Sequence, residues 1–381
     1  MKTPALAALA LALAAAPAAA QESGAFVIRL GHDTVAVEQF TRTTTRIQGT
    51  LVSRAPRTSI RTYTAELRPD GTIGRLEVTT RTPAAPDLLP QTITLTMGAD
   101  STDVRTVRGD TVREMKVAGG AFPWVSNSYA LAEPALRHAA ARGLDSTAVV
   151  TVAPGARQAG SVSFIRRGAD SVLIRAANGV TRVRVDARGR VLGAHSPEST
   201  FKAQVDRVDG ADAQALAAEW ARRDQAGQQM GSLSPRDSVT ATVGGATVSV
   251  AYGRPAMRGR RIMGQVVPFG QVWRTGANEA THFRTDRDVR VGGTRVPAGS
   301  YTLWTVPGPE TWTLILNRQT GQWGTVYDPA QDLARIPAPS ALESGPPVEL
   351  LTLRILPDGA GGLLVIAWEA TTVAVPITPV P

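Results

Sequence analysis

From about Ala25 to Val205 the chain alternates apolar and polar positions between short turn signals. Ile93, Leu95 and Met97 interleave with Thr92, Thr94 and Thr96, and Val183 and Val185 interleave with Arg182 and Arg184. A period of two with β-branched residues predicts half-buried antiparallel strands. Pro69-Asp70-Gly71 and Asp186-Ala187-Arg188-Gly189 carry turn chemistry at hairpin tips. Two helical periods stand out. One covers Ser128 to Arg142 and is closed by Gly143 at C′. The other covers Ala211 to Asp224, with Leu216 and Trp220 four apart and Asp209 or Asp212 as cap.

Gln225 to Pro235 is rich in Gly, Gln and Ser, the composition of a flexible linker. Beyond it the alternation resumes with shorter strands. Val248, Val250 and Tyr252 alternate, as do Trp312, Leu314 and Leu316. Gly292-Gly293 joins Asp288–Val291 to Thr294–Val296 as a two-residue hairpin, and Pro357-Asp358-Gly359 separates Leu350–Ile355 from Leu363–Glu369. The chain is therefore expected to be mainly β with two domains. An antiparallel sheet or half-barrel with a short helix is expected over 24–207, a helix and linker over 208–235, and a β-sandwich or jelly-roll-like domain over 236–378.

Residues 1–20 read differently. Lys2, an apolar run from Ala5 to Ala16 and the small residues Ala18-Ala19-Ala20 predict a secretory signal peptide cut before Gln21. The run is Ala-rich and shorter than the roughly 20 strongly apolar residues of a spanning helix, and no transmembrane segment is expected elsewhere. A periplasmic or secreted location follows as the expectation. Once the leader is removed, about 360 residues remain, more than one core ordinarily organises. The chain has no cysteine, which removes disulfides, thiolate chemistry and Cys-based zinc sites together.

The formal net charge is +9, and the first 210 residues hold 26 basic against 18 acidic groups. These charges are scattered singly along strands. Without a basic cluster or interleaved aromatics they describe a solvated surface, and no nucleic-acid partner is expected.

Catalytic templates are absent from the sequence: no Gly-x-Ser-x-Gly elbow, phosphate-cradling glycine loop or His-Glu-x-x-His pair occurs. Ser199 and Lys202 have Ser-x-x-Lys spacing but fall between strands. Glu279 and His282 would share a helical face, yet their surroundings lead into a strand, so neither a metal nor a cofactor is expected. The unusual stretch is Tyr252 to Ala280. It gathers Arg254, Arg258, Arg260, Arg274, Asn278 and Glu279 in irregular, Gly-punctuated chain, where functional groups concentrate. Guanidinium groups pair with carboxylate or phosphate, and Asn and Glu hold hydroxyls. The alternative is internal pairing of Arg274 with Glu279. Trp304, Trp312 and Trp368 sit mid-strand as core, whereas Gln322 and Trp323 lie in a Gly-flanked loop suited to a ligand platform.

These residues also carry a likeness. Arg254-Pro255, Gly259-Arg260, Val267-Pro268-Phe269-Gly270, Val272 to Ala280, Pro297 to Tyr301 and Gln322-Trp323-Gly324 resemble the domain of unknown function 2911 family, over roughly Ser232 to Ile377. The resemblance implies an exported bacterial protein and no activity. Members commonly carry Thr or a similar residue at the position of His282, which weakens a Glu279–His282 metal pair further. The N-terminal half loosely resembles the open half-barrels of envelope lipoprotein carriers, a likeness of fold alone.

The leading expectation is a non-enzymatic envelope protein that binds a polar ligand, such as a glycan or peptidoglycan fragment, through Arg254, Arg258, Arg260, Arg274, Asn278, Glu279, Gln322 and Trp323. One alternative is a carboxylate-dependent hydrolase of envelope glycans or esters using Glu279. The other is a carrier of an apolar ligand inside the N-terminal half-barrel. The sequence leaves the oligomeric state open.

Overall fold

The computed structural model describes residues 21–380 except 120–121, 143–144, 177–178, 198–200 and 343–344. The expected leader, the Gly143 cap and Ser199 lie outside the described residues. The alternating pattern of the first half becomes a single sheet of fifteen described strands. Eight hairpin-linked strands lead from Glu22–Leu30 out to Thr111–Ala118. On the other side of Glu22–Leu30 the sheet continues from Gln204–Val208 back to Phe122–Pro123. The sheet is open, and its neighbours are antiparallel apart from Phe122–Pro123 against Ser146–Val152. Both anticipated tips are turns held by aspartate. Asp70 Oδ1 accepts from the Thr72 N–H at 2.9 Å, and Asp186 Oδ1 accepts from the Arg188 and Arg190 N–H groups at 2.9 Å.

The sheet buries both faces around its first strands. Phe26, Ile28, Ala36 and Phe40 point to one face, where they meet Leu131, Ala135 and Leu136 of the segment that crosses it. Val37 and Val52 point to the other, where they meet Ala213, Ala217 and Trp220 of helix α2 (Ala213–Gln225). Helix α2 follows its predicted span, and Asp212 caps it by accepting from the Ala215 N–H at 2.8 Å. Trp220 is 4% exposed, so its burial alone is worth about 2–3 kcal/mol.

The helix of the inner face, α1, spans Glu133–Ala141 and begins later than expected from Ser128. The cause lies in local chemistry. Pro134 occupies the first helical turn, where its missing N–H costs nothing, while Ser128 is engaged elsewhere. The Ser128 hydroxyl donates to Glu38 and accepts from the Leu131 N–H at 3.3 Å. Two buried carboxylates then fasten this segment to the sheet. Glu38 accepts from Tyr63 Oη at 2.7 Å and from the Tyr129 and Ala130 N–H groups at 2.8 and 3.1 Å. Burial raises its carboxyl above the ordinary carboxylate range, against the four hydrogen bonds that lower it. Glu133 is fully buried and accepts from Arg42, from Arg207 Nη1 at 2.9 Å and from the Val191 N–H at 2.9 Å. The Arg207 guanidinium also lies 5.2 Å from the ring centres of Phe26 and Phe40.

The segment after α2 is polar enough to predict flexibility, but it is held against the N-terminal domain. Met230 and Leu233 pack on that domain's core, and the Gly231 N–H donates to the Pro56 carbonyl at 2.9 Å. Beyond it, eleven described strands form a second antiparallel sheet. It nearly closes on itself into a barrel, in place of the two packed sheets expected. The strand Thr371–Pro379 is the junction, pairing with Asp332–Leu342, with Val289–Val291 and with Gly361–Glu369. Val248, Val250, Trp312, Leu314 and Leu316 fill the interior as their alternation predicts, with Trp368 among them.

The Glu133 network generates a prediction. Glu133→Ala strands Arg42 and the Val191 N–H in a dry interior and should cost about 3–5 kcal/mol in urea denaturation. Arg137→Ala removes an exposed partner 3.5 Å away and should cost under about 1 kcal/mol. Equal losses for the two variants would show that burial of the network contributes nothing special.

Candidate functional site

The irregular stretch from Arg254 to Ala280 folds along the wall of the near-barrel, at the contact between the two domains. Several backbone positions in it are left-handed without being glycine: Arg258 at φ 52°, Thr275 at φ 50° and Asn278 at φ 63°. Such conformations are uncommon for Arg and an outlier for a β-branched Thr, so surrounding contacts must impose them. Thr275 is buried, and its hydroxyl donates to Thr305 Oγ1 at 3.1 Å. Close backbone approach does the rest. A Cβ on Gly253 would lie 2.1 Å from the Ala277 carbonyl, and one on Gly324 would lie 2.5 Å from the Asn278 carbonyl.

Arg258 is the bridge between the domains. Its carbonyl accepts from the His32 N–H at 3.0 Å, and its guanidinium pairs with Asp33. Its own N–H donates to Glu349 Oε1 at 2.9 Å, which ties the bridge to the C-terminal domain. The facing turn admits this only because residue 31 is glycine. At Gly31, φ is 65°, and a Cβ there would lie 2.0 Å from the Arg258 carbonyl oxygen.

Beside this contact lies a cleft of about 330 Å³ lined by both domains. Leu30, Pro56 and Phe201 come from the N-terminal side, Leu233 from the connecting segment, and Val267 and Trp273 from the C-terminal side. Trp273 is braced from behind. Its ring is stacked 5.9 Å from Trp368 and edge-on 6.1 Å from Trp312, and its Nε1 donates to the Gly276 carbonyl at 3.2 Å.

Three of the anticipated residues line the cleft: Arg260, Arg274 and Asn278. Arg260 is committed to carbonyls, with Nε to Met257 at 2.9 Å and Nη2 to Ala256 at 2.8 Å. Burial, followed by the neighbouring Arg258, lowers its pKa. Arg274 is less satisfied. Its one hydrogen bond within the described residues runs from Nη1 to the Gly324 carbonyl at 3.4 Å, and its buried Nε has no partner. No carboxylate among the described residues pairs with it, and burial pushes its pKa down to about 10. It remains a cation at neutral pH, so the cleft contains an uncompensated positive charge. The Asn278 backbone carbonyl accepts from the Gly324 N–H at 2.9 Å, while its side-chain amide makes no hydrogen bond among the described residues.

The other anticipated residues do not line this cleft. Arg254 is structural, donating to the Leu351 carbonyl and Thr352 Oγ1, each at 3.1 Å. Arg258 serves the domain contact. Glu279 is exposed and pairs with Arg236 at 3.1 Å, so the internal Arg274–Glu279 pair does not form. Gln322 donates to Thr302 Oγ1 at 3.2 Å, and Trp323 is 41% exposed beside Glu279. His282 lies on the strand Thr281–Thr285, where its Nε2 accepts from the Gly321 N–H at 3.2 Å. Burial and then Arg236 lower its pKa, which favours the neutral ring. No cluster of three metal-ligating side chains occurs among the described residues. Sequence reasoning missed the Gly31–Asp33 turn, whose Gly between two alternating runs was its one visible signal.

The tight fit at residue 31 is testable. Gly31→Ala should push the Arg258 carbonyl away and loosen the domain contact, raising the radius of gyration in solution scattering relative to the parent chain. Unchanged scattering would show that the contact tolerates a methyl group.

Residues 234–377 match the family model described as "Protein of unknown function (DUF2911)". No curated protein matches the chain. Among solved structures, a DUF1089 family protein from Pseudomonas aeruginosa aligns with a TM-score of 0.34 at 12% identity, covering 43% of this chain and 90% of its own. A β-barrel-like protein of domain of unknown function DUF1849 from Brucella abortus aligns with a TM-score of 0.35 at 9% identity, covering 50% of this chain and 98% of its own. The near-barrel that supplies Arg260, Arg274 and Asn278 to the cleft is a DUF2911 domain, and the sheet that supplies the opposite wall precedes that match.

Proposed function

We propose that the chain is an exported binding protein of the bacterial envelope, and that the cleft between its domains holds a small anionic ligand. The observation that carries this reading is Arg274, a cation set into the cleft wall with no carboxylate partner and an unsatisfied Nε. An uncompensated buried charge is costly to a folded protein unless something pairs with it, and a bound carboxylate or phosphate would do so. The strained backbone at Thr275 and Asn278 supports the same reading, because strain of this kind concentrates at ligand sites. Asn278 adds an amide with no hydrogen bond among the described residues, and Trp273 a braced aromatic face. Export is supported by the Lys2–Ala20 leader pattern. No helix among the described residues is long and apolar enough to cross a membrane.

Two measurements test the proposal. Mass spectrometry of the chain recovered from an envelope fraction should find Gln21 at the amino terminus, and an intact residue 1–20 segment would refute cleavage there. A panel of acidic sugars, alkyl carboxylates and phosphate monoesters should yield at least one ligand for the full mature chain. Its affinity should fall by about tenfold or more in Arg274→Gln, as expected on losing one partner of a desolvated charge pair. A ligand bound equally well by Arg274→Gln, or no anion bound at all, would remove the cleft as an anion site.

A further inference from the structure

Resting on that reading of the cleft, we infer that the ligand is an amphiphilic carboxylate, with one anionic head and a hydrocarbon or aromatic body. The cleft's chemistry is uneven. Its polar side consists of Arg274, Asn278, Lys202, whose Nζ donates to the Pro197 carbonyl, and an Arg260 whose Nε and Nη2 already serve backbone carbonyls, with Ser232 and Ser234 at the connecting segment. The remaining surface is carbon: Leu30, Phe201, Leu233, Val267 and the Trp273 ring.

A free sugar acid presents hydroxyls around its whole ring, and each one buried needs a partner. The side chains of Leu30, Phe201 and Val267 offer none, and the Trp273 Nε1 is already committed to the Gly276 carbonyl. An alkyl or aryl body satisfies those walls, because removing apolar surface from water on both sides drives the contact. The head is limited to a single charge on the same accounting. Arg274 has no carboxylate partner among the described residues, whereas Arg260 has two of its donors spent and the Lys202 ammonium already donates to the Pro197 carbonyl, so one carboxylate seated at Arg274 matches the available pairing. The size agrees, since about 330 Å³ lies at the small end of the roughly 300–1,000 Å³ range of ligand cavities. Both domains supply apolar wall, so the body of the ligand spans the junction that Arg258 and Gly31 hold together.

Calorimetric titration of the full mature chain with decanoate (below its micelle threshold), decanol and N-acetylmuramic acid tests the inference. Decanoate should bind saturably, decanol about tenfold or more weakly, and N-acetylmuramic acid without saturation. Arg274→Gln should erase the gap between decanoate and decanol. Leu233→Gln, on the half-buried connecting segment, should weaken both while leaving the circular dichroism unchanged. Binding of N-acetylmuramic acid without decanoate would overturn the amphiphile and leave an anion site standing. Equal binding of decanol and decanoate would overturn the role of the head. Failure of all three to bind would overturn this inference, and the wider anion panel would then decide whether the cleft binds anions at all.

Discussion

The seating of Arg258 on the turn at Gly31 is the constraint on which the cleft depends. Neither domain encloses that space alone. The N-terminal sheet contributes Leu30, immediately before the turn, and the C-terminal near-barrel contributes Trp273 and Arg274 on the stretch that Arg258 precedes. A carbonyl hydrogen bond, an ion pair with Asp33 and a glycine that leaves room for both hold the walls at a fixed spacing. The ion pair is shielded, with Arg258 at 14% and Asp33 at 23% side-chain exposure, so it is less screened than the surface pairs scattered over the sheets.

Elsewhere the chain shows how a buried guanidinium is ordinarily accommodated. Arg42 and Arg207 share the fully buried Glu133, reach Glu22 as well, and Arg207 also faces two aromatic rings. That arrangement satisfies charge, hydrogen bonding and packing at once, and it locks the Ser128–Ala141 segment over the inner face of the sheet. Leu131, Ala135 and Leu136 of that segment pack on the face of the sheet that carries Phe26 and Phe40. Arg274 has none of these provisions. That contrast within one molecule is what the proposed anion site rests on.

Much of the fold could be read from alternation because a strand's neighbours on one face are two residues apart. Val248–Tyr252 and Trp312–Leu316 needed nothing more. The closure of the second sheet was not legible, since the pairing of Thr371–Pro379 with three different strands leaves no local mark. Composition misled at Gln225–Pro235, where Met230 and Leu233 outweigh the Gly and Gln around them. In the candidate site, glycine density singled out the stretch whose Arg260, Arg274 and Asn278 line the cleft. It also grouped Glu279 with them by adjacency. The left-handed turn at Asn278 redirects the chain between those two residues, and a one-residue reversal of that kind is invisible until the backbone is known.

The placement of Glu22–Leu30 bears on how the chain folds. This strand lies between Asp33–Arg42 and Gln204–Val208, and its Arg29 reaches Asp206 across a separation of 177 residues. One of its edges pairs with the next strand in sequence, whereas the other waits for a strand from the far end of the domain. Pairings of such long range form slowly, because loop closure precedes the contacts that reward it. A strand near one end of the domain is therefore among the last to be enclosed, and for that interval its unpaired edge is open to the wrong strand.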